Sequence, residues 1–394
     1  MPHYKYLIIG GGMTADSAVR GIREIDADIP IGLISQEPEN PYDRPPLTKG
    51  LWKDKSVESI WRHTEKEKVD LHLGHTVETI EPRQKRVVDD ARTEYTYDKL
   101  LLATGGRPRT LAFGGDHIIY YRTLGDYLRL REWTAKGKRF VVIGSGFIGS
   151  EIAAALAMNE KEVTMIFPGK SIGERMYPAD LSQFLNDFYR KKGVELLPGE
   201  SAIGLEERGT GLVLKTGSGR EVTTAGVIAG VGMELNTELA EMAGLKIDNG
   251  IVVNEFLQTT ESDIYAAGDV AAFYSPALGK TMRVEHEDNA NTMGKMAGRN
   301  MAGKSEPYHH LPFFYSDMFE LGYEAVGELD SRLEMFSDWK TPFREGVVYY
   351  LEKGRVRGVL LWNVWGQVDA ARALIADPGP FKLADLKGRL PEKK

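Results

Sequence analysis

Tyr4-Lys5-Tyr6-Leu7-Ile8-Ile9-Gly10-Gly11-Gly12-Met13-Thr14-Ala15 is an apolar strand that runs into a glycine turn, and the turn leads into an amphipathic stretch reaching about Ala27. A second strand, Ile29–Ser35, follows and ends two residues before Glu37. The block recurs 134 residues on, as Arg139-Phe140-Val141-Val142-Ile143-Gly144-Ser145-Gly146-Phe147-Ile148-Gly149-Ser150-Glu151, then an Ala/Leu-rich helical run and a strand Glu162–Phe167. Each block is strand, glycine turn, helix, strand, with the spacing Gly10-x-Gly12-x-x-Ala15 or Gly144-x-Gly146-x-x-Gly149. The glycines have separate tasks: a tight turn, close approach of backbone to a pyrophosphate, and close contact of helix with strand. The helix start then offers free N–H groups and the positive end of its dipole to phosphates, with Thr14 and Ala15 in the first turn. One such motif among 43 glycines is weak, but two copies in matching context predict two dinucleotide-binding units.

An acidic residue about 20 positions past the third glycine position holds the ribose in such units. Glu37 takes that place in the first copy. In the second, Phe167-Pro168 is followed by Gly169, Lys170 and Ser171, with no carboxylate in the slot. This reading loosens any demand for NADH over NADPH, since Lys170 is suited to a 2′-phosphate.

Composition narrows the chemistry. The 394 residues, 42% of them hydrophobic, are enough for two to four domains. There is no cysteine, which removes redox disulfides, thiolate nucleophiles, Cys-ligated zinc and iron–sulfur clusters. Electron chemistry must therefore sit on a bound organic cofactor. No His/Asp/Glu spacing suggests a metal. Fifty Lys+Arg against 57 Asp+Glu leave a net charge of −7, a poor footprint for nucleic acid. No run of about 18 apolar residues predicts a membrane span, and strand pattern from Tyr6 leaves no room for a cleavable signal, so a cytoplasmic address is expected.

Other landmarks lie at strand ends. Leu100-Leu-Leu-Ala103-Thr104-Gly105-Gly106-Arg107-Pro108 closes an apolar strand on a glycine turn, and Ile264-Tyr-Ala-Ala-Gly268-Asp269 repeats that logic. From about Pro307 the pattern changes to strands at 324–328, 346–351 and 356–362 and a helix at 367–376. The expected fold is α/β, with two Rossmann-like dinucleotide-binding domains and a C-terminal α+β domain. The boundaries are 1–116 with 250–306, 117–249, and 307–394. The charged tail 387–394 reads as a solvated, frayed end, and Trp362 and Trp365 as core or domain interface.

Two nucleotide units, the Ala-Thr-Gly turn and the late Gly-Asp together resemble the two-dinucleotide flavoprotein reductases, the glutathione-reductase-like layout. The resemblance implies FAD on the first unit and NADH or NADPH on the second. Where glutathione-reductase-type members carry a Cys pair, this chain has Pro41-Tyr42-Asp43-Arg44-Pro45-Pro46-Leu47-Thr48-Lys49, similar to the cysteine-free branch of ferredoxin reductases, monodehydroascorbate reductase and apoptosis-inducing factor. Arg283-Val-Glu285-His286-Glu-Asp-Asn-Ala290, Pro312-Phe-Phe-Tyr315, Gly322 to Asp330 and Gly358 to Asn363 resemble the apoptosis-inducing factor core most. This chain departs from it in lacking a mitochondrial targeting and anchor region and a long C-terminal insertion, and its acidity weakens a DNA-binding role. The death-effector and import-partner roles are not carried over.

The resemblance implies site roles. Lys49 belongs near the flavin N5 edge, paired with Glu151, where an ammonium favours electron density on the ring; by residue type alone both also read as surface charges. Phe147 covers the flavin face that receives nicotinamide, or is a core phenylalanine. Glu285 and His286 open a helix running to about Ala302 and aimed at flavin N1/O2, although a structural histidine is an open alternative. Tyr315 lies near the flavin or in plain core with Phe313 and Phe314. Asp269 accepts a ribitol hydroxyl, and Arg44 reaches the pyrophosphate or flavin. Val77, Ala103, Thr104, Gly105, Arg107, Gly232, Gly268 and Ala290 complete the expected cofactor lining, with Ile148, Gly149 and Lys170 on the nicotinamide side. The expected reaction is hydride transfer from NAD(P)H to FAD, then electrons to a ferredoxin- or rubredoxin-type protein, a quinone or oxygen. The alternative is a redox sensor whose NADH-reduced charge-transfer state controls homodimerisation.

Overall fold

Strand His3–Ile9 has Leu7 and Ile8 with no exposed surface, so both its faces are covered, as a central strand of a parallel sheet requires. Its neighbours are Ile31–Ser35 on one side and Glu94–Leu102 on the other, with Ile8 in register with Leu33 and with Leu101. Val69–Leu73 extends the sheet beyond Ile31–Ser35, and Ile264–Ala266 pairs in parallel with the end of Glu94–Leu102. The antiparallel strands Arg86–Asp89 and Val77–Glu81 complete it. The computed structural model describes residues 1–209 and 211–390, so 391–394 of the expected frayed tail lie outside the described residues.

The chain divides into two compact units. The first comprises 1–44, 56–107 and 234–312, and the second 45–55, 108–233 and 313–394. In the first unit, helix Met13–Arg23 lies against helix Glu287–Met301. Glycines set their spacing: a Cβ on Gly294 would fall 2.3 Å from Thr14 O, and one on Gly298 2.0 Å from Ala18 O. The first helix stops at Arg23, short of the expected Ala27, and the second strand starts at Ile31 because Pro30 lacks the N–H a ladder needs.

The second unit has its own parallel sheet, ordered Val194–Pro198, Glu162–Phe167, Arg139–Ile143, Gly226–Ala229, Ile118–Tyr120. It also contains a five-stranded antiparallel sheet, Phe313–Met318, Leu321–Gly327, Arg355–Trp362, Glu345–Glu352 and Glu334–Thr341 in spatial order, with helix Val368–Ala376. The first and last of these strands are additions to the three read from sequence. Trp362 is fully buried and stacks on Tyr323 at 5.8 Å, whereas Trp365 is 44% exposed. Among the described residues no helix is long and apolar enough to cross a membrane.

Candidate functional site

In the first unit Gly10 sits at φ +121°, and a Cβ there would lie 2.2 Å from Ala103 O, so strand and turn touch through bare backbone. Gly12 differs: nothing lies within 4 Å of a Cβ built on it, and it starts helix Met13–Arg23 with no side chain capping the first turn. The second copy repeats this. Gly144 (φ +108°) would meet Gly230 O at 2.3 Å, Gly149 would meet Gly144 O at 2.2 Å, and Gly146 is open and starts helix Phe147–Met158 without a side-chain cap. An open glycine before uncapped N–H groups is a cradle for a diphosphate, and each unit has one. The residues present therefore fit two dinucleotides.

Around the first cradle, the Glu37 carboxylate forms an ion pair with Arg44 and accepts from Tyr42 Oη at 2.6 Å, while the guanidinium stands 5.2 Å from the Tyr42 ring centre. Burial works against the Arg44 charge, but Glu37, Tyr42 and Asp269 outweigh it and raise its pKa. Asp269 follows Gly268, whose φ of +79° lets the backbone pass Thr14, and its carbonyl accepts from Arg283 at 3.2 Å. Arg283 also pairs with Glu285 at 2.7 Å. His286 is the N-cap of helix Glu287–Met301, so Glu285 precedes the helix rather than opening it. Burial pushes the His286 imidazole down to about 4 from 6.5, against the pull of Asp269 and Asp288, and holds it neutral. A neutral imidazole at a helix start leaves the helix dipole as the positive element there.

Val77 and Ala103 are buried in the first-unit core and Ala290 is buried on the helix. Thr104 Oγ1 donates to Asn236 O at 2.8 Å, Gly105 turns at φ +59°, and Arg107 pairs with Glu238 at 2.6 Å. Sequence reading missed Asp16. It is fully buried and accepts from Arg20 at 3.0 Å, Arg62 at 2.7 Å and Thr64 at 2.7 Å. Burial raises its carboxyl, but these donors outweigh that and leave it below the ordinary range.

In the second unit the segment 45–55 is pinned by Tyr121 Oη on Leu47 O at 2.5 Å and by Asn159 on Trp52 O at 3.2 Å. It delivers Lys49 to Glu151, Nζ to Oε2 at 2.7 Å. Glu151 is 3% exposed and also accepts from Thr48 Oγ1 at 2.5 Å and Ser316 Oγ at 2.6 Å. The pair is not two unrelated surface charges: two distant segments, one carrying Thr48 and Lys49 and the other Ser316, meet on one buried carboxylate. Lys49 Nζ lies 5.2 Å from the Tyr315 ring centre, and Phe147 meets Phe314 edge-on at 5.5 Å. Phe147 is only partly covered and Ile148 is exposed, while Gly232 turns at φ +99° near Arg109.

Positions 169–171 carry no carboxylate, and the turn after Glu162–Phe167 receives one from further along the chain, that of Glu174, which accepts from the Lys170 N–H at 2.7 Å. The 169–174 loop folds back on itself, a contact invisible to fixed spacing. A group of three titratable residues, His75, Asp89 and Asp90, also escapes sequence spacing, with donor atoms within 4.8 Å of one another. Its buried member, Asp89, already accepts from Thr93 N at 2.7 Å and Tyr95 Oη at 2.9 Å.

This pair of cradles defines a nucleotide-dependent oxidoreductase, and the chain belongs to the pyridine nucleotide-disulphide oxidoreductase family, whose model matches residues 4–294. It is an FAD-dependent NAD(P)H oxidoreductase. Residues 297–342 and 336–377 match the model described as the C-terminal part of mitochondrion-associated apoptosis-inducing factor. The chain is 36% identical to apoptosis-inducing factor 1 of Dictyostelium discoideum, over 94% of this chain and 78% of that protein. It is 33% identical to the ferredoxin–NAD(+) reductase component of the anthranilate 1,2-dioxygenase system of Burkholderia cepacia, over 96% of this chain and 97% of the relative. Among solved structures it is similar to the reductase of the covalent putidaredoxin reductase–putidaredoxin complex, with a TM-score of 0.90, 30% identity, and 98% and 96% of the two chains covered.

Proposed function

We propose that this chain takes hydride from NAD(P)H and passes the electrons to a small redox protein of the ferredoxin type, with no thiol in the route. The observation that carries this choice of acceptor is likeness to reductases of that kind: 33% identity to a relative named as a ferredoxin–NAD(+) reductase component and a TM-score of 0.90 to the reductase solved in complex with putidaredoxin. FAD supplies the two-electron chemistry when bound. Residues 1–116 with 250–306 are assigned to FAD, 117–249 to NAD(P)H, and 307–394 to the C-terminal domain.

The protein residues position and polarise. The Gly10–Ala15 and Gly144–Gly149 turns, with their uncapped helix starts, hold the two diphosphates. Lys49, fixed by Glu151, would supply an ammonium that favours electron density on the flavin, and Thr48 and Ser316 hold the carboxylate that fixes it. Phe147 would make room for the nicotinamide ring, and the helix start at His286 would favour negative charge on a bound flavin. Asp269 and Glu37 are assigned to sugar hydroxyls, Glu37 with Arg44 as its standing partner.

An acceptor screen tests the reading. NADH-driven reduction of a [2Fe–2S] ferredoxin should exceed that of quinones and oxygen. Equal rates with and without ferredoxin would overturn it. A second reading, a redox sensor that changes assembly with NADH, is favoured by the 36% identity to the Dictyostelium protein. Size measurement before and after anaerobic NADH addition separates the two.

A further inference from the structure

We propose that Glu174 grips the adenosine ribose of the nicotinamide nucleotide and makes the enzyme select NADH over NADPH. The inference rests on the hydride-donor reading above and names the donor.

In a G-x-G-x-x-G unit the ribose diol is held by a carboxylate at the end of the second strand. That strand is Glu162–Phe167, and the slot after it carries Gly169. The space is nevertheless filled. A Cβ built on Gly169 would stand 2.3 Å from Glu174 Oε1 and 2.7 Å from its Cδ, so the Glu174 carboxylate lies where a side chain at 169 would begin. The missing side chain is what makes room for it. The other oxygen accepts from the Lys170 N–H at 2.7 Å, which aims the carboxylate along the turn.

The loop that carries Glu174 is tied on three sides. Gly173 N–H donates to Ser145 O at 3.3 Å, inside the Gly144–Gly149 motif itself. Buried Asn186 takes the Ile172 N–H at 3.1 Å and gives its own N–H to Lys170 O at 3.1 Å. Arg175 O accepts from Ser331 N at 3.0 Å. Residues 173 and 175 are thus both anchored by backbone, and through Gly173 the loop that carries the carboxylate is tied to the glycine turn.

A carboxylate accepts hydrogen bonds from both hydroxyls of a ribose diol. A 2′-phosphate would instead bring a second negative charge against it. The Lys170 N–H, a donor that a phosphate at this turn would use, is already spent on Glu174. The Lys170 side chain is exposed and sits on the same turn as that carboxylate, which weakens it as a lone phosphate anchor.

The test compares wild type, Glu174→Gln, and the transfer variant Gly169→Glu/Glu174→Gly in the FAD-loaded protein. Calorimetric titration with NAD⁺ and NADP⁺ is measured beside kcat/KM for NADH and NADPH. Wild type should prefer NADH in both. Glu174→Gln should cut the preference by about tenfold to a hundredfold, mainly through KM, the range expected for a hydrogen bond to a charged group. The transfer variant should recover most of it. An unchanged preference in Glu174→Gln, or a wild type that prefers NADPH, overturns the proposal while leaving the reductase reading intact. A wild type that binds neither nucleotide defeats that reading and this one with it.

Discussion

Glu151 carries a charge at 3% exposure, and its cost is met by three donors: the Lys49 ammonium and the hydroxyls of Thr48 and Ser316. Removing one partner of such a pair leaves the other buried and uncompensated, which costs about 3–5 kcal/mol. Lys49→Met and Glu151→Ala should each destabilise by about that much in denaturant melts. The Lys49→Met/Glu151→Met double variant should lose less than the sum, because it buries no orphan charge. His286 gives a pH-dependent prediction. Its folded pKa of about 4 lies below the unfolded 6.5, so as pH falls between these values the unfolded chain takes up a proton the native chain refuses. The stability it contributes is complete above 6.5 and drains away toward 4. His286→Gln should remove about 1–3 kcal/mol of that acid-side loss, seen by comparing denaturant midpoints near pH 7 and near pH 4.5.

At the scale of elements, glycines separate into those the fold needs and those a ligand needs. Gly298→Ala would drive a Cβ to 2.0 Å from Ala18 O, against helix backbone that cannot step aside. We expect a loss of about 2–3 kcal/mol and weaker FAD retention, because the shifted helix carries His286 at its start. Gly12→Ala is the opposite case: φ is −89° and nothing lies within 4 Å of the added carbon. Its stability should stay within about 1 kcal/mol of wild type, the cost of an alanine cap, while FAD affinity falls because the methyl enters the diphosphate cradle. Equal FAD affinity of Gly12→Ala and wild type, by fluorescence titration, would remove that cradle from the first unit. The strand–turn–helix blocks were legible in sequence because every feature they use is local: apolar runs, glycines at fixed offsets and a following amphipathic stretch. Strands Phe313–Met318 and Glu334–Thr341 were not. They mix aromatic and polar residues at half-buried positions, so no clean alternation marks them.

For the whole molecule, the absence of cysteine is a statement about electron flow. NADH oxidation by the FAD-loaded enzyme should be insensitive to maleimide, measured as unchanged initial rates after alkylation. A sharp loss of rate would mean that another nucleophile is essential. The sequence by itself determined the two dinucleotide units, the order in which they occur, and the exclusion of thiol chemistry, since each depends on neighbours along the chain or on composition. It also singled out Lys49 and Glu151, but only through resemblance. Tertiary structure alone decided that Thr48, Lys49 and Ser316 converge on Glu151, and that Arg44 pairs with Glu37. It also decided that the Glu174 carboxylate occupies the space over Gly169. The physical reason is common to all three. Charged and hydroxylic side chains carry no periodic signal, and where they meet is set by how loops close, a long-range property of the folded backbone.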